Sequence, residues 1–317
     1  MEFNKFTSLN DSYQSKIIND IRELGYDKEP WVITEKLDGA NFAFYYNGTY
    51  FKVASRNQFV DGTFFNCQQV INLYKEKFIN FYYESIQLGE IVLGDTLTLV
   101  GELIGDGILN RVKYRYPEGC NRDFRVFDIK VNNESLGFLT AYNHIDFIPL
   151  VPLIDICTFN EALLYDPIFK SYLSPEDVEV NYSEGVSLSP SIPKYFNSGS
   201  QVWLKNKSPE FKEKGAKTYK PPVELNDFDG QRLLDLLEFN NNSRVLSALS
   251  KFGEVTQKDF GKILQTVYED ILEDFINEYG IVPTTEVSDW KTLSKMLKKE
   301  ITQEVREEFL KCLPCEV

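Results

Sequence analysis

Residues 31–46 read WVITEKLDGANFAFYY. Two apolar runs rich in β-branched and aromatic residues flank LDGAN, the pattern of two strands joined by a short turn. Lys36 therefore stands at the exit of the first strand, followed at once by Asp38, Gly39 and Asn41. A lysine in such a turn is ordinarily a solvated charge. The rest of the chain decides whether this one is more.

Outward from that stretch, strand-like runs recur up to about residue 220: TYFKVAS, TLTLVGELIG, DFRVFDIKV, GVSLS and QVWLK. Many alternate apolar and polar residues and are bounded by Asn, Gly, Asp or Pro. Helical spacing occurs in SYQSKIINDIRELG and around FFNCQQVINLYKEKF, and residues 140–180 read as mixed. After Pro221 and Pro222 the period changes. QRLLDLLEF, SRVLSALSKF, QKDFGKILQTVYEDILEDFINEYG and WKTLSKMLKKEITQEVREEFLKC place apolar residues at three- and four-residue steps. The expected fold class is α+β, with a sheet domain over residues 1–222 and a small all-α domain over residues 223–317.

A chain of 317 residues, 43% hydrophobic and 14% aromatic, has globular composition. It has no run of eighteen apolar residues, and MEFNKFTSLNDSYQSK resembles neither a signal nor a transit peptide, so a soluble, cytoplasmic protein without a membrane partner is expected. Five scattered cysteines suit reduced thiols. Cys312 and Cys315 form CLPC, but with His144 as the sole histidine and no second CxxC, a four-ligand zinc site is not available. A net charge of −14 speaks at first against nucleic acid, yet residues 194–220 carry seven lysines against two glutamates and residues 111–130 six basic residues against three acidic. Such segments can steer a polyanion to one face of an acidic body, or be ordinary solvated charge. Residues 221–317 carry 11 basic and 19 acidic residues, so the helical part is no broad electrostatic attractor.

Set beside Lys36, the later strands supply Glu102 in LVGELIG, Phe127 and Asp128 in RVFDI, Glu184 in SEGVSL, and Lys205 and Lys207 in VWLKNK. Each has a bland reading as core or solvent face. Together and in this order they resemble the covalent nucleotidyltransferases, the ligases and RNA capping enzymes with a K-x-D-G motif, here Lys36-Leu37-Asp38-Gly39. Five motifs over roughly residues 31–207 carry the likeness. Within that superfamily the opening KFTSLNDSY, the EK before the turn, GELIG and KNKSPEFKEK look like the phage-type RNA ligases that seal nicks in duplex RNA, grouped with the RNA-editing ligases.

The resemblance implies an adenylyltransferase domain with mostly antiparallel sheets, ATP as donor, a divalent metal (Mg or Mn), an RNA partner, and a monomer. Lys36 would form a lysyl-AMP, with Lys205 and Lys207 as fixed cations and Glu184 beside the lysine. Glu35, Asn41, Arg56, Glu102 and Phe127 would contact the nucleotide, Phe127 by stacking on adenine, and Glu184 and Asp128 would meet the metal. The chemistry suits these residue types. A lysine amine attacks only when neutral, and from an ordinary pKa of about 10.4, work near pH 7.5 asks for about 4 kcal/mol of destabilised ammonium, which nearby cations can supply. Two lysines two apart on a strand project to one face and can meet one phosphate. Thr34, Ser55 and Ser189 stand where the family often carries basic residues. The rival readings are an ATP-dependent DNA ligase or a GTP-using mRNA capping enzyme, which ordinarily continue into a β barrel rather than helices, and a non-catalytic RNA-binding relative. A chain ending near Tyr219 is expected to keep lysyl-AMP formation and lose sealing.

Overall fold

The computed structural model describes residues 1–109, 111–212, 225–253 and 255–312. The chain divides into two compact units, residues 1–208 and 209–317. The expected boundary at 222/223 lies outside the described residues.

The first unit runs β1 (Asn10–Asp11), α1 (Ser15–Glu23), β2 (Trp31–Lys36), β3 (Ala40–Tyr46), β4 (Phe51–Ser55), β5 (Phe59–Val60), α2 (Gln68–Gln87), β6 (Leu97–Gly105), β7 (Arg122–Val131), β8 (Glu134–Ser135), α3 (Phe138–His144), β9 (Leu153–Cys157), α4 (Phe159–Leu164), β10 (Gly185–Pro190) and β11 (Leu204–Lys207). Two sheets result, ordered β1-β11-β10-β2-β9 and β5-β4-β3-β6-β7-β8. All pairings are antiparallel except β1 with β11. The turn after Lys36 carries the chain from the first sheet to the second.

Alternation sorts each strand between a core and the space between the sheets. Trp31 and Ile33 of β2 pack with Val186, Leu188, Leu204, Ile21 of α1 and Phe159 of α4. Ala40, Phe42, Phe44 and Tyr46 of β3 pack under Val70, Tyr74, Phe78 and Tyr82 of α2. Truncating Ile33, fully buried, would cost about 2–5 kcal/mol. Two motif glycines are required by close approach. A Cβ on Gly39 would lie 2.4 Å from the Leu103 carbonyl oxygen, and one on Gly185, at φ +145°, 2.1 Å from that of Asn206.

The second unit holds α5 (Asp227–Leu237), α6 (Asn242–Leu249), α7 (Phe260–Tyr279) and α8 (Trp290–Cys312). Ile263, Val267, Ile271 and Phe275 of α7 and Leu293, Leu297, Ile301, Val305 and Phe309 of α8 are buried at every fourth position, the ridge by which helices interlock. Asp229 of α5 accepts from the amides of Ser288 and Asp289 just before α8 (3.0 and 2.9 Å), tying the first helix to the last. The α+β class and the helical second part accord with the sequence. Among the described residues no helix is long and apolar enough to cross a membrane.

Candidate functional site

Across three neighbouring strands Gly185 pairs with Lys36 on one side and Lys207 on the other. The glycine puts no side chain between them, and the residue before it fills the gap. Glu184 takes the Lys36 Nζ on one oxygen at 2.6 Å and the Lys207 Nζ on the other at 3.0 Å. Burial would push the Glu184 carboxyl up, but Lys36, Lys207 and Arg111 outweigh it and hold it at about 2. Two residues back, Ser187 pairs with Lys205, whose Nζ lies 3.6 Å from an Asp11 oxygen.

The turn is clamped by Arg111 and Tyr114. Arg111 Nε lies 3.1 Å from both oxygens of Asp38, with a second guanidinium nitrogen on the same carboxylate, and the Asp38 amide donates to the Tyr114 hydroxyl at 2.7 Å. Asn181 holds that segment in turn, accepting from the Lys113 amide (2.8 Å) and donating to its carbonyl (2.7 Å). In the sequence Arg111 stands out only as part of a basic stretch. Its partner is 73 residues away, and no spacing rule links them.

The second sheet faces this group. Asn41 pairs with Glu102, and Gly39 presses against Glu102 Cγ (2.9 Å from a Cβ built there). Burial pushes the Glu102 carboxyl up to about 8, with Glu184 and Asp38 adding to it and Lys36 and Arg56 opposing. Arg56 donates to the Ser8 hydroxyl. Phe127 is partly buried and braced by Phe6 and Trp203, each with ring centroids 5.4 Å away. Lys36, Glu184 and Lys207 are thus in direct contact, with Asp38, Glu102, Arg56 and Asn41 around them.

The family model for RNA ligase matches residues 29–208, a span holding the contact group and more than half of the chain. The chain belongs to the RNA ligase family. A second model, for the T4 RNA ligase 2 C-terminal domain, matches residues 229–309, the helical unit of this RNA ligase family member. Among solved structures, Naegleria gruberi RNA ligase resembles it at low similarity. An apo mutant form gives a TM-score of 0.47 at 21% identity, covering 67% of this chain and 57% of that one. A mutant with ATP and Mn gives 0.47 at 20%, with 67% and 58% covered, and a form with PPi gives 0.45 at 22%, with 66% and 58%. The chain therefore spans a little under three fifths of the length of those structures.

Two residues expected at this RNA ligase site lie apart from its contact group. Glu35 points to the opposite face of β2 from Lys36, where one oxygen accepts from the Tyr172 amide (3.0 Å) and the other is buried without a hydrogen bond. Burial pushes its carboxyl up to about 7, with the neighbouring Ser171, Tyr172 and Ser183 and the charge of Arg125 opposing it. Asp128 accepts from the Ser135 hydroxyl (2.7 Å) and the Gly137 amide (3.3 Å), with Lys130 Nζ 4.0 Å from its other oxygen, and burial pushes it up to about 6. Among the described residues no group of three or more His, Cys, Asp or Glu side chains is arranged to hold a metal. A magnesium-like ion commonly keeps waters and binds through one or two carboxylates plus substrate phosphates; the carboxylate in the contact group is Glu184, each of whose oxygens holds a lysine Nζ.

Several residues of the basic segments are paired inside the first unit. Arg111 pairs with Asp38, Arg125 with Asp123, and Lys194 with Glu29; Arg115 donates to the Tyr172 carbonyl. Lys214, Lys217 and Lys220, like Cys315, lie outside the described residues. His144 is exposed on α3 against the Thr140 carbonyl, and Cys67, Cys120, Cys157 and Cys312 are free thiols.

Proposed function

We propose that this chain is an ATP-dependent RNA ligase that joins 3′-hydroxyl and 5′-phosphate ends at nicks in duplex RNA. The observation that carries this is the contact of Lys36, Glu184 and Lys207 from adjoining strands. A short ion pair to a fully buried carboxylate fixes one amine in place, and Lys207 adds a fixed cation on the same level.

Lys36 Nζ attacks the α-phosphorus of ATP; the N–P bond forms, the bond to pyrophosphate breaks, and the amine proton leaves to solvent. An oxygen of the RNA 5′-phosphate then attacks that phosphorus and releases Lys36, and the 3′-hydroxyl finally displaces AMP to make the phosphodiester. Lys207 and Lys205 offset charge on the phosphoryl oxygens. Arg56, Glu102 and Asn41 border the ribose and phosphates, and Phe127 stacks on adenine. Glu35 supports the strand end from its far face, and Asp128, through Ser135 and Gly137, anchors the strand that carries Phe127. A divalent ion, Mg or Mn, would be held beside Glu184 and would offset phosphate charge.

The substrate assignment is tested with 5′-phosphate nicks in duplexes. ATP-dependent sealing is expected when the 3′-hydroxyl strand is RNA; equal sealing of all-DNA nicks, or a demand for GTP, overturns it. The helical unit is assigned to engaging the duplex, with the protein acting as a monomer. A chain ending after Lys212 should keep lysyl-AMP formation and lose sealing by at least about tenfold, the scale of one or two lost phosphate contacts.

A further inference from the structure

The RNA ligase family match begins at residue 29, yet three residues of the proposed nucleotide site are touched from well before it. Residues 3–12 run between the two sheets. At the second sheet, Phe3 meets Phe59 edge-on at 5.5 Å, the Tyr45 hydroxyl donates to the Asn4 carbonyl at 3.4 Å, and Ser8 Oγ accepts from Arg56 at 2.5 Å. Phe6 lies in the middle, with ring centroids 5.4 Å from Phe127 and 6.0 Å from Trp203, and Lys130 Nζ 5.4 Å from its own centroid. At the first sheet, the Asn10 amide donates to the Trp203 carbonyl (3.1 Å) and the Ser12 amide to that of Lys205 (2.9 Å). Asp11 is in register with Lys205 and holds its Nζ at 3.6 Å.

We propose that residues 3–12 are a built part of the nucleotide site, in which Phe6, Ser8 and Asp11 are positioning residues that set Phe127, Arg56 and Lys205 for the adenylate donor. This rests on the ligase reading above. The physical ground is that each contacted side chain is one that would otherwise explore several rotamers. Phe127 is held between two rings, Arg56 is fixed by a hydroxyl, and Lys205 is drawn toward a carboxylate whose own strand is hydrogen-bonded beside it. Ordering these groups before the nucleotide arrives removes that entropic cost from binding. Trp203 locks the arrangement further, because its Nε1 donates to the Ser187 hydroxyl at 2.6 Å on the strand next to β2.

The test uses the full chain and the rate of label transfer from ATP to protein over a range of ATP concentrations, with thermal midpoints measured in parallel. Phe6→Ala is expected to raise the KM for ATP about tenfold, the worth of a braced aromatic pair, while the rate at saturating ATP stays within about threefold. Ser8→Ala and Asp11→Asn should each raise KM about threefold, as for one hydrogen bond or one partly exposed ion pair. Phe6→Tyr, which keeps the ring, should bring KM back toward wild type. Unchanged KM in all three substitutions, with only a lowered midpoint for Phe6→Ala, overturns the proposal and leaves the segment as packing. A KM below wild type also overturns it, since the segment would then compete with the nucleotide. If Phe6→Ala does not fold, the two polar variants carry the same decision. Wild-type protein that takes no label from ATP is a separate result: it removes the ligase reading itself.

Discussion

Glu184 and Glu35 are both buried carboxylates beside the end of β2, and their surroundings drive them in opposite directions. Glu184 receives Lys36 and Lys207 at 2.6 and 3.0 Å and is held at about 2. Glu35, one residue from Lys36 but on the other face, receives one backbone amide, keeps one oxygen unpaired, and is pushed up to about 7. Burial alone therefore does not set a carboxylate's charge; the cations within contact do. On one face charge is concentrated and neutralised by partners, and on the other it is suppressed.

The largest expected effect comes from removing the third cation near Glu184. Arg111→Met leaves Asp38 buried and unpaired, and denaturant unfolding should show a loss of about 3–5 kcal/mol. Combining it with Asp38→Asn should recover most of that loss, because no uncompensated charge then remains. Recovery of none would mean that Arg111 acts through contacts other than Asp38. Next, Glu184→Gln keeps the shape and removes the charge between the two lysines. Lysyl-AMP formation at saturating ATP should fall by about two to three orders of magnitude, the usual scale for losing a preorganised electrostatic contact.

The smallest effect is the pH response of Glu35. Its folded pKa of about 7 lies above its ordinary 4.5, so the folded state holds the proton more tightly. Its contribution to stability is present below about 4.5 and lost as pH rises through about 7, on the order of 3 kcal/mol. Glu184 has the opposite sign: its contribution is present above its ordinary 4.5 and lost as pH falls toward about 2. Unfolding free energies of Glu35→Gln should lack the decline between pH 4.5 and 8. The same slope in variant and wild type would break the contrast between the two faces.

The strands carrying the site were legible because aromatic and β-branched residues alternate there between Gly and Asn boundaries, and WVIT and NFAFYY lie within β2 and β3. β9 was not. LIDIC is a partly exposed edge strand following Pro149 and Pro152, with Asp155 in its middle, and it falls in the stretch that reads only as mixed. The order of lysines and glutamates was legible as a family likeness, and the Lys36–Glu184–Lys207 contact follows from strand register that sequence does not print. Arg111 was hidden because its role comes from a loop folding back across 73 positions. Glu35 shows the converse. Adjacency to Lys36 in sequence becomes opposition in a pleated strand.

The most direct test of the central claim is transfer of label from α-labelled ATP to the protein. Wild type should acquire an acid-labile adduct with release of pyrophosphate, and Lys36→Ala should acquire none. An adduct that persists in Lys36→Ala, or wild-type labelling from GTP in place of ATP, would contradict the assignment of Lys36 as the adenylate acceptor.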